Sequence, residues 1–266
     1  MIFQKKIEYE FQKQMEALDD QKVGLAVSGG GDSIAMLVLA SKWAQVEKKK
    51  IQVVTVNHNL RKEAKEEAIF TREFVKKLGH IHTILEWKRP SDIKNLQSDA
   101  SFARKKLISN WAKLNNIKTI LVAHTLDDQV ETILMRFARG SGVDGLVGMR
   151  KIIELQGKYW FRPLLTTTRN DLRKFLKIKK VSWVEDPTNE DRKYLRVKSR
   201  DVISQLKKIG INTDLLINTS LRMENARNVL NDVAKEAFNK YITLKKWGDI
   251  EVNKEIFNSF REDTYL

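Results

Sequence analysis

The sequence predicts an α/β fold: a parallel sheet with helices on both faces, followed by a small, mainly helical C-terminal domain. Three observations predict it. Short apolar runs alternate with helix-period segments along most of the chain. A glycine-rich turn, Ser28-Gly-Gly-Gly-Asp-Ser33, joins the first such run to the helix after it. Beyond Gly210 the alternation stops and one long helical stripe takes over. We therefore expect two domains, 1–210 and 211–266.

Taken in order, Phe3, Ile7, Phe11, Met15 and Leu18 fall at helical spacing, so an amphipathic helix opens the chain. Val23, Leu25, Ala26 and Val27 form a first buried strand, and the helix from Ile34 carries Leu37, Val38 and Trp43. Ile51–Val56 reads as a second strand, a charged helix follows from Lys62 to Leu78, and Ile81–Trp87 reads as a third strand. After a loop from Pro90 to Asp99 come a helix over Ala100–Asn116 and a fourth strand, Thr119–Ala123. His124 begins the next helix, and Arg139–Met149 is a flexible loop of small residues. Met149–Leu165 reads as a hairpin turning at Gln156-Gly157. From Asp214 onward Leu216, Met223, Leu230 and Ala237 mark one face of a long helix, a packing pattern rather than a site.

The turn at Ser28–Ser33 has the makings of an anion cradle. Glycines without Cβ let backbone N–H groups turn inward, and the helix that begins there adds open N–H groups and partial positive charge. Ser28 and Ser33 add hydroxyl donors. Neither common phosphate loop fits: a Walker loop needs a lysine that is absent between Lys22 and Lys42, and the dinucleotide fingerprint needs glycine where Asp32 and Ser33 stand. An acid inside a phosphate loop repels its ligand unless a cation intervenes, so Asp32 points to Mg2+. The plainer alternative is a glycine turn whose helix is capped by Asp32 or Ser33.

In parallel sheets ligands gather at the carboxyl ends of strands. Three segments follow strands there: Ser28–Ser33, Asn57–Arg61 (with His58) and His124–Asp128. Spacings of three and four put His124, Asp127 or Asp128, and Glu131 on neighbouring faces of one helix start. Carboxylates beside a phosphate cradle suit Mg2+ or a cationic substrate. Acids at a helix N-terminus are also favoured by the dipole alone.

With 49 Lys and Arg against 34 Asp and Glu, the net charge of +15 over 266 residues implies a polyanionic partner, nucleic acid first. The stretch 169–200 concentrates this charge, with eleven basic residues against five acidic ones and Trp183 and Tyr194 between them. It suits a surface that grips phosphates; a solvated basic face is the alternative. The absence of cysteine excludes disulfides, thiolate metal sites, iron–sulfur clusters and cysteine nucleophiles. No apolar run reaches the roughly 18 residues of a membrane span, and no signal-peptide pattern opens the chain. We expect a soluble, cytoplasmic protein with no membrane partner.

Taken together, these segments resemble the tRNA(Ile)-lysidine synthase family of the N-type ATP pyrophosphatase (PP-loop) superfamily. Ser28-Gly-Gly-Gly-Asp-Ser33 is similar to its SGGxDS loop, and Val56-Asn-His-Asn-Leu-Arg61 to its second motif, with Asn57 where Asp is usual. His124–Thr132, Arg139–Met149, Arg162-Pro-Leu164 and Glu185–Asn189 follow in the family's order. Two departures stand out: Leu107-Ile108 where Arg-Tyr is common, and Arg196-Val-Lys-Ser-Arg200 in place of Arg-Asn-x-x-Arg.

The resemblance implies a Rossmann-like catalytic domain and an ATP- and Mg2+-dependent ligase. Such an enzyme adenylates the C2 oxygen of the wobble cytidine, position 34, in a tRNA-Ile with a CAU anticodon. Free L-lysine then displaces AMP, giving lysidine. By the same resemblance Ser28, Gly29, Gly30, Gly31 and Ser33, with His58, His124 and Arg139, bind ATP, and Asp32 binds Mg2+. Asp128 and Glu131 hold and deprotonate lysine, with Glu131 ahead as the base. Arg104, Arg139 and Arg196 meet the α-phosphate or the tRNA, and Arg169, Arg173, Lys174, Arg192, Arg196 and Arg200 bind tRNA. Two rivals stay open: a cysteine-independent PP-loop tRNA thiolase, and a non-catalytic RNA-binding scaffold. A homodimer stays open too.

Overall fold

A computed structural model of the chain describes residues 2–57, 64–87, 96–185 and 195–256. These residues group into two compact units, 1–129 with 149–197 and 130–148 with 198–266.

The first unit is built on a six-stranded sheet. Its strands are β1 (Lys22–Ala26), β2 (Lys50–Asn57), β3 (Ile81–Glu86), β4 (Thr119–Val122), β5 (Ile152–Leu155) and β6 (Lys158–Phe161). Their order across the sheet is β3-β2-β1-β4-β6-β5. All neighbours are parallel except β5, which pairs antiparallel with β6 at one edge. β1 is central: Val23 stands opposite Ile51 on one side and Thr119 on the other. The chain runs outward from β1 to β3, then returns to place β4 on the opposite side of β1. That reversal opens a crevice at the carboxyl ends of β1 and β4, the place where ligands enter open α/β sheets.

Helices cover both faces, as the alternation of apolar runs predicts. On one face α1 (Ile2–Met15) buries Ile7, Phe11 and Met15 beside α2 (Gly31–Val46), with Leu37 and Leu39, and α7 (Arg169–Ile178), with Leu172, Phe175 and Leu176. α3 (Ala64–Lys77) adds Val75 to the same layer. On the other face α4 (Leu96–Leu114) sets Ile108, Trp111 and Ala112 against Val54, Ile120 and Trp160. Gly24 makes room for this layer, since a Cβ there would meet the Trp111 ring at 3.0 Å. The β5–β6 hairpin turns at Gln156 (φ 54°) and Gly157 (φ 67°), two positive angles that match a tight two-residue turn.

The second unit takes most of α5 (Leu126–Phe137), the short α6 (Val143–Leu146), most of α8 (Leu195–Lys208), α9 (Thr213–Tyr241) and a hairpin of β7 (Ile242–Leu244) and β8 (Ile250–Val252). Three expectations differ here. The cut expected at 210 gives way to a division in which α8 and the segment 130–148 join the C-terminal residues. The segment read as a flexible loop contains α6, and it is tied down: Arg136 Nη1 donates to the carbonyls of Gly145 (3.0 Å) and Gly148 (2.7 Å), and Ser220 Oγ to that of Val147 (2.7 Å). On α9 the buried face runs through Ser220, Arg227, Ala237 and Tyr241, while Leu230 of the expected stripe is 59% exposed. Among the described residues no helix is long and apolar enough to cross a membrane.

One hydrogen-bonded pair in the sheet, buried Thr55 with half-buried His82, is sensitive to acid. Thr55 Oγ1 donates to the Val27 carbonyl (2.8 Å), so it accepts from His82 Nε2 (2.8 Å), leaving buried His82 Nδ1 as an acceptor with no hydrogen-bond partner among the described residues. A proton on Nδ1 has nowhere to donate. Burial, helped by the Arg72 charge, pushes the imidazole from 6.5 down to about 4. The unfolded chain therefore binds this proton first, and stability present above pH 6.5 is lost as pH falls towards 4, by roughly 3 kcal/mol at most. His82→Gln is expected to lose less stability than the parent between pH 7 and pH 4.5 in urea denaturation.

Candidate functional site

The glycine turn follows β1 and closes on itself. Ser33 Oγ donates to the Gly30 carbonyl (2.9 Å) and accepts from the Ser28 N–H (3.1 Å), with the Ser28 hydroxyl 3.3 Å away. Gly30 stands at the N-cap of α2 in extended conformation, and no side chain caps the helix. The open N–H groups of the first turn are what an anion site requires. The plainer reading, with Asp32 or Ser33 as the cap, therefore does not hold. Gly29 has φ +92°, and a Cβ there would lie 2.8 Å from Thr71 Oγ1 on α3. Over Gly31 lies the Trp183 indole, 3.3 Å from where a Cβ would stand, and Val184 N–H donates to the Gly29 carbonyl (3.0 Å).

The second wall is the start of α5, just past β4. Asp128 and the buried Thr125 form a capping box: Asp128 Oδ2 accepts from the Thr125 N–H (2.8 Å) and hydroxyl (2.9 Å). The T-x-x-D spacing was there to be read in the sequence. Arg162 Nε donates to His124 Nδ1 (3.3 Å), which fixes the orientation of the ring and leaves Nε2 as its other polar atom. Arg162 was in the family motif but not among the expected site residues.

Between the two walls lies Arg169. Its Nε is 3.2 Å from Asp32 Oδ2 and its Nη2 3.0 Å from Asp128 Oδ1, while its backbone N–H donates to Asp127 Oδ2 (2.7 Å). The expectation counted Arg169 with the RNA-facing basic residues; its guanidinium is instead committed to two carboxylates. The two acids are set apart by their surroundings. Burial pushes Asp32 up, and the Arg169 charge only partly offsets it. Burial works against the Asp128 anion too, but Arg169 and the Thr125 N–H hold that carboxyl below its usual range.

The remaining expected residues are more scattered. Glu131 lies one turn beyond Asp128 on α5 and is 1% exposed. Arg104 on α4, Arg139 after α5, and Arg173 and Lys174 on α7 are exposed, and Arg173 comes within 4.0 Å of Glu185. His58 and Arg192 lie outside the described residues, as do Asn59–Arg61, Asp186–Asn189 and Tyr194 of the expected motifs. Arg196 and Arg200 fall on α8, with side chains outside what the structure describes. Among the described residues no three His, Asp or Glu side chains cluster as a metal cage. Mg2+ needs none, since one or two carboxylates plus phosphate oxygens suffice, and Asp32 with Asp128 fits that donor set.

A PP-loop domain profile matches residues 3–206. Over 252 residues the chain is 39% identical to the tRNA(Ile)-lysidine synthase of Wolbachia pipientis wMel, covering 94% of this chain and 58% of that protein. It is 40% identical over 217 residues to the tRNA(Ile)-lysidine synthase of Ruegeria pomeroyi, covering 82% and 52%. The chain thus spans little more than half the length of these relatives. Among solved structures, the U34-tRNA thiolase NcsA of Methanococcus maripaludis superposes with a TM-score of 0.72 at 17% identity, over 84% of this chain and 80% of that one. At that identity the likeness is one of fold.

Gly29→Ala introduces both a left-handed alanine and the contact with Thr71. The expected cost is about 1–2 kcal/mol from the backbone alone, read as a lower urea midpoint. Gly29→Ala with Thr71→Ala removes the contact and is expected to recover only part of it.

Proposed function

The chain belongs to the PP-loop domain family of ATP-binding proteins, and we propose that it is the ligase that converts cytidine 34 of a CAU-anticodon tRNA-Ile to lysidine, using ATP, Mg2+ and free L-lysine in the cytoplasm. One observation carries this reading. A capless glycine cradle and an ionised aspartate face one guanidinium at a single crevice, in a chain 39–40% identical to proteins of that name.

The chemistry divides among this chain's own groups. The N–H groups of the Ser28–Ser33 loop and the dipole of α2 favour a triphosphate. Asp32, together with Asp128, is suited to holding Mg2+ against it. When bound, the metal and nucleotide supply an α-phosphate open to attack by the cytidine C2 oxygen. That oxygen later departs with AMP, and pyrophosphate leaves in the first step. His124, when its Nε2 carries the proton, is a donor for a phosphoryl oxygen.

Lysine must attack as a neutral amine. Its pKa near 10.4 makes deprotonation at pH 7 cost about 4.6 kcal/mol. Asp128, held below its usual range, is a weak base and better suited to gripping the ammonium. Glu131 is left as the proton acceptor. Arg104, Arg139 and Arg196 are assigned to the α-phosphate or the RNA, and Arg173, Lys174, Arg192 and Arg200 to the tRNA backbone.

The test incubates the protein with ATP, labelled lysine and bulk tRNA, and looks for lysine in digested nucleosides. Lysine incorporation is expected for the parent, with losses of about 10²-fold or more for Glu131→Gln and Asp128→Asn. Incorporation of sulfide in its place, or none at all, would overturn the proposal. Binding of tRNA is expected to weaken steeply between 50 and 200 mM salt. Arg196→Ala and Arg200→Ala should each flatten that dependence; an affinity indifferent to salt would contradict an electrostatic RNA face.

A further inference from the structure

We propose that Arg169 is an internal counter-cation of the nucleotide site: its guanidinium bridges Asp32 and Asp128 while the site is empty, and it yields those oxygens when a divalent metal arrives with its nucleotide. The inference rests on the crevice being a Mg2+–nucleotide site, as proposed above.

Four observations lead there. First, Arg169 touches one oxygen of each acid, Asp32 Oδ2 at 3.2 Å and Asp128 Oδ1 at 3.0 Å. These are the hard anionic oxygens that Mg2+ would take. A guanidinium cannot shed its charge in a protein, so its positive charge opposes a metal ion arriving at the same oxygens. Second, the backbone of Arg169 is fixed without its side chain. Its N–H is held by Asp127 Oδ2, and the helix start is capped by Thr168, whose hydroxyl oxygen accepts from the Asp171 N–H. The guanidinium can therefore leave without unravelling α7. Third, Asp128 keeps both hydrogen bonds from Thr125 after the arginine moves, so the carboxylate stays aimed. Fourth, the Arg169 side chain is 20% exposed, so part of it already meets solvent.

The displaced guanidinium does not travel far. It sits beside the phosphate loop, and arginine recognises phosphate in the same forked geometry as carboxylate. With a metal and nucleotide bound, Arg169 would exchange its carboxylate partners for phosphate partners. Arg169 is on this account a positioning residue that holds two like charges together in advance.

The experiment measures metal binding without turnover. Mn2+ alone, without nucleotide, is titrated into parent, Arg169→Gln and Arg169→Lys proteins and followed by electron paramagnetic resonance. Removing the competing cation is expected to tighten Mn2+ binding about tenfold in Arg169→Gln. A smaller gain is expected in Arg169→Lys, whose single ammonium cannot fork between both acids. Asp32→Asn added to Arg169→Gln is expected to abolish the gain. Equal or weaker Mn2+ binding in both arginine variants overturns the proposal, because a merely structural Arg169 would lose metal affinity with the site's order. Should Arg169→Gln fail to fold, Arg169→Lys against the parent carries the comparison. Failure of the parent to bind Mg2+ with a non-hydrolysable ATP analogue overturns the nucleotide reading and this exchange together. Analogue binding with unaltered Mn2+ affinity overturns the exchange alone.

Discussion

Two carboxylates brought to one crevice repel unless a cation or a proton lies between them. That constraint organises the first unit. The reversal of strand order at β1 brings Ser28–Ser33 and the start of α5 to the same edge of the sheet. It thereby brings Asp32 and Asp128 within reach of one side chain. The chain answers with Arg169, delivered by a third element, α7, whose N-terminus is tied to α5 through Asp127 and through the Leu126 N–H donating to the Thr167 carbonyl. Geometry and charge are settled by the same few residues.

Much of this was legible in the residues. Alternating apolar runs identify a covered parallel sheet, because strands buried on both faces need continuous apolar stretches. Gln156-Gly157 marks its hairpin, since the turn needs two positive φ angles. The glycine loop marks the anion cradle. What sequence could not supply is which distant side chain meets which. Arg169 reads as one of eleven basic residues in a basic stretch, and nothing local distinguishes it from Arg173 one turn on. Arg162 is hidden likewise, because its partner His124 lies 38 residues away along the chain. The stripe on α9 failed at Leu230, because a repeat shows which residues share a face but not how much of that face a neighbour covers; Ser220, Arg227 and Ala237 are covered, and Leu230 between them is not.

The glycine-rich segment shows the same limit in reverse. Small residues suggest freedom, yet here they make room for order. A Cβ on Gly145 would sit 2.3 Å from that of Ser141, so the turn closes only around glycine. Arg136 then satisfies two carbonyls that so tight a path would otherwise leave open. In the first unit Gln129 does similar work, pairing through both atoms of its amide with the backbone of Met149.

The indole over Gly31 bears on how the protein assembles. Trp183 and Val184 complete the cradle from a point more than half the chain downstream. Helix α2 and strand β1 can form early from neighbouring residues, but their shared turn stays unroofed until α7 and the residues just past it have docked. Long-range closures of this kind come late, after their loop-closure entropy has been met. The capacity to hold a ligand is therefore among the last features the folding chain acquires, and a nascent chain released before Val184 would carry the motif without its shape.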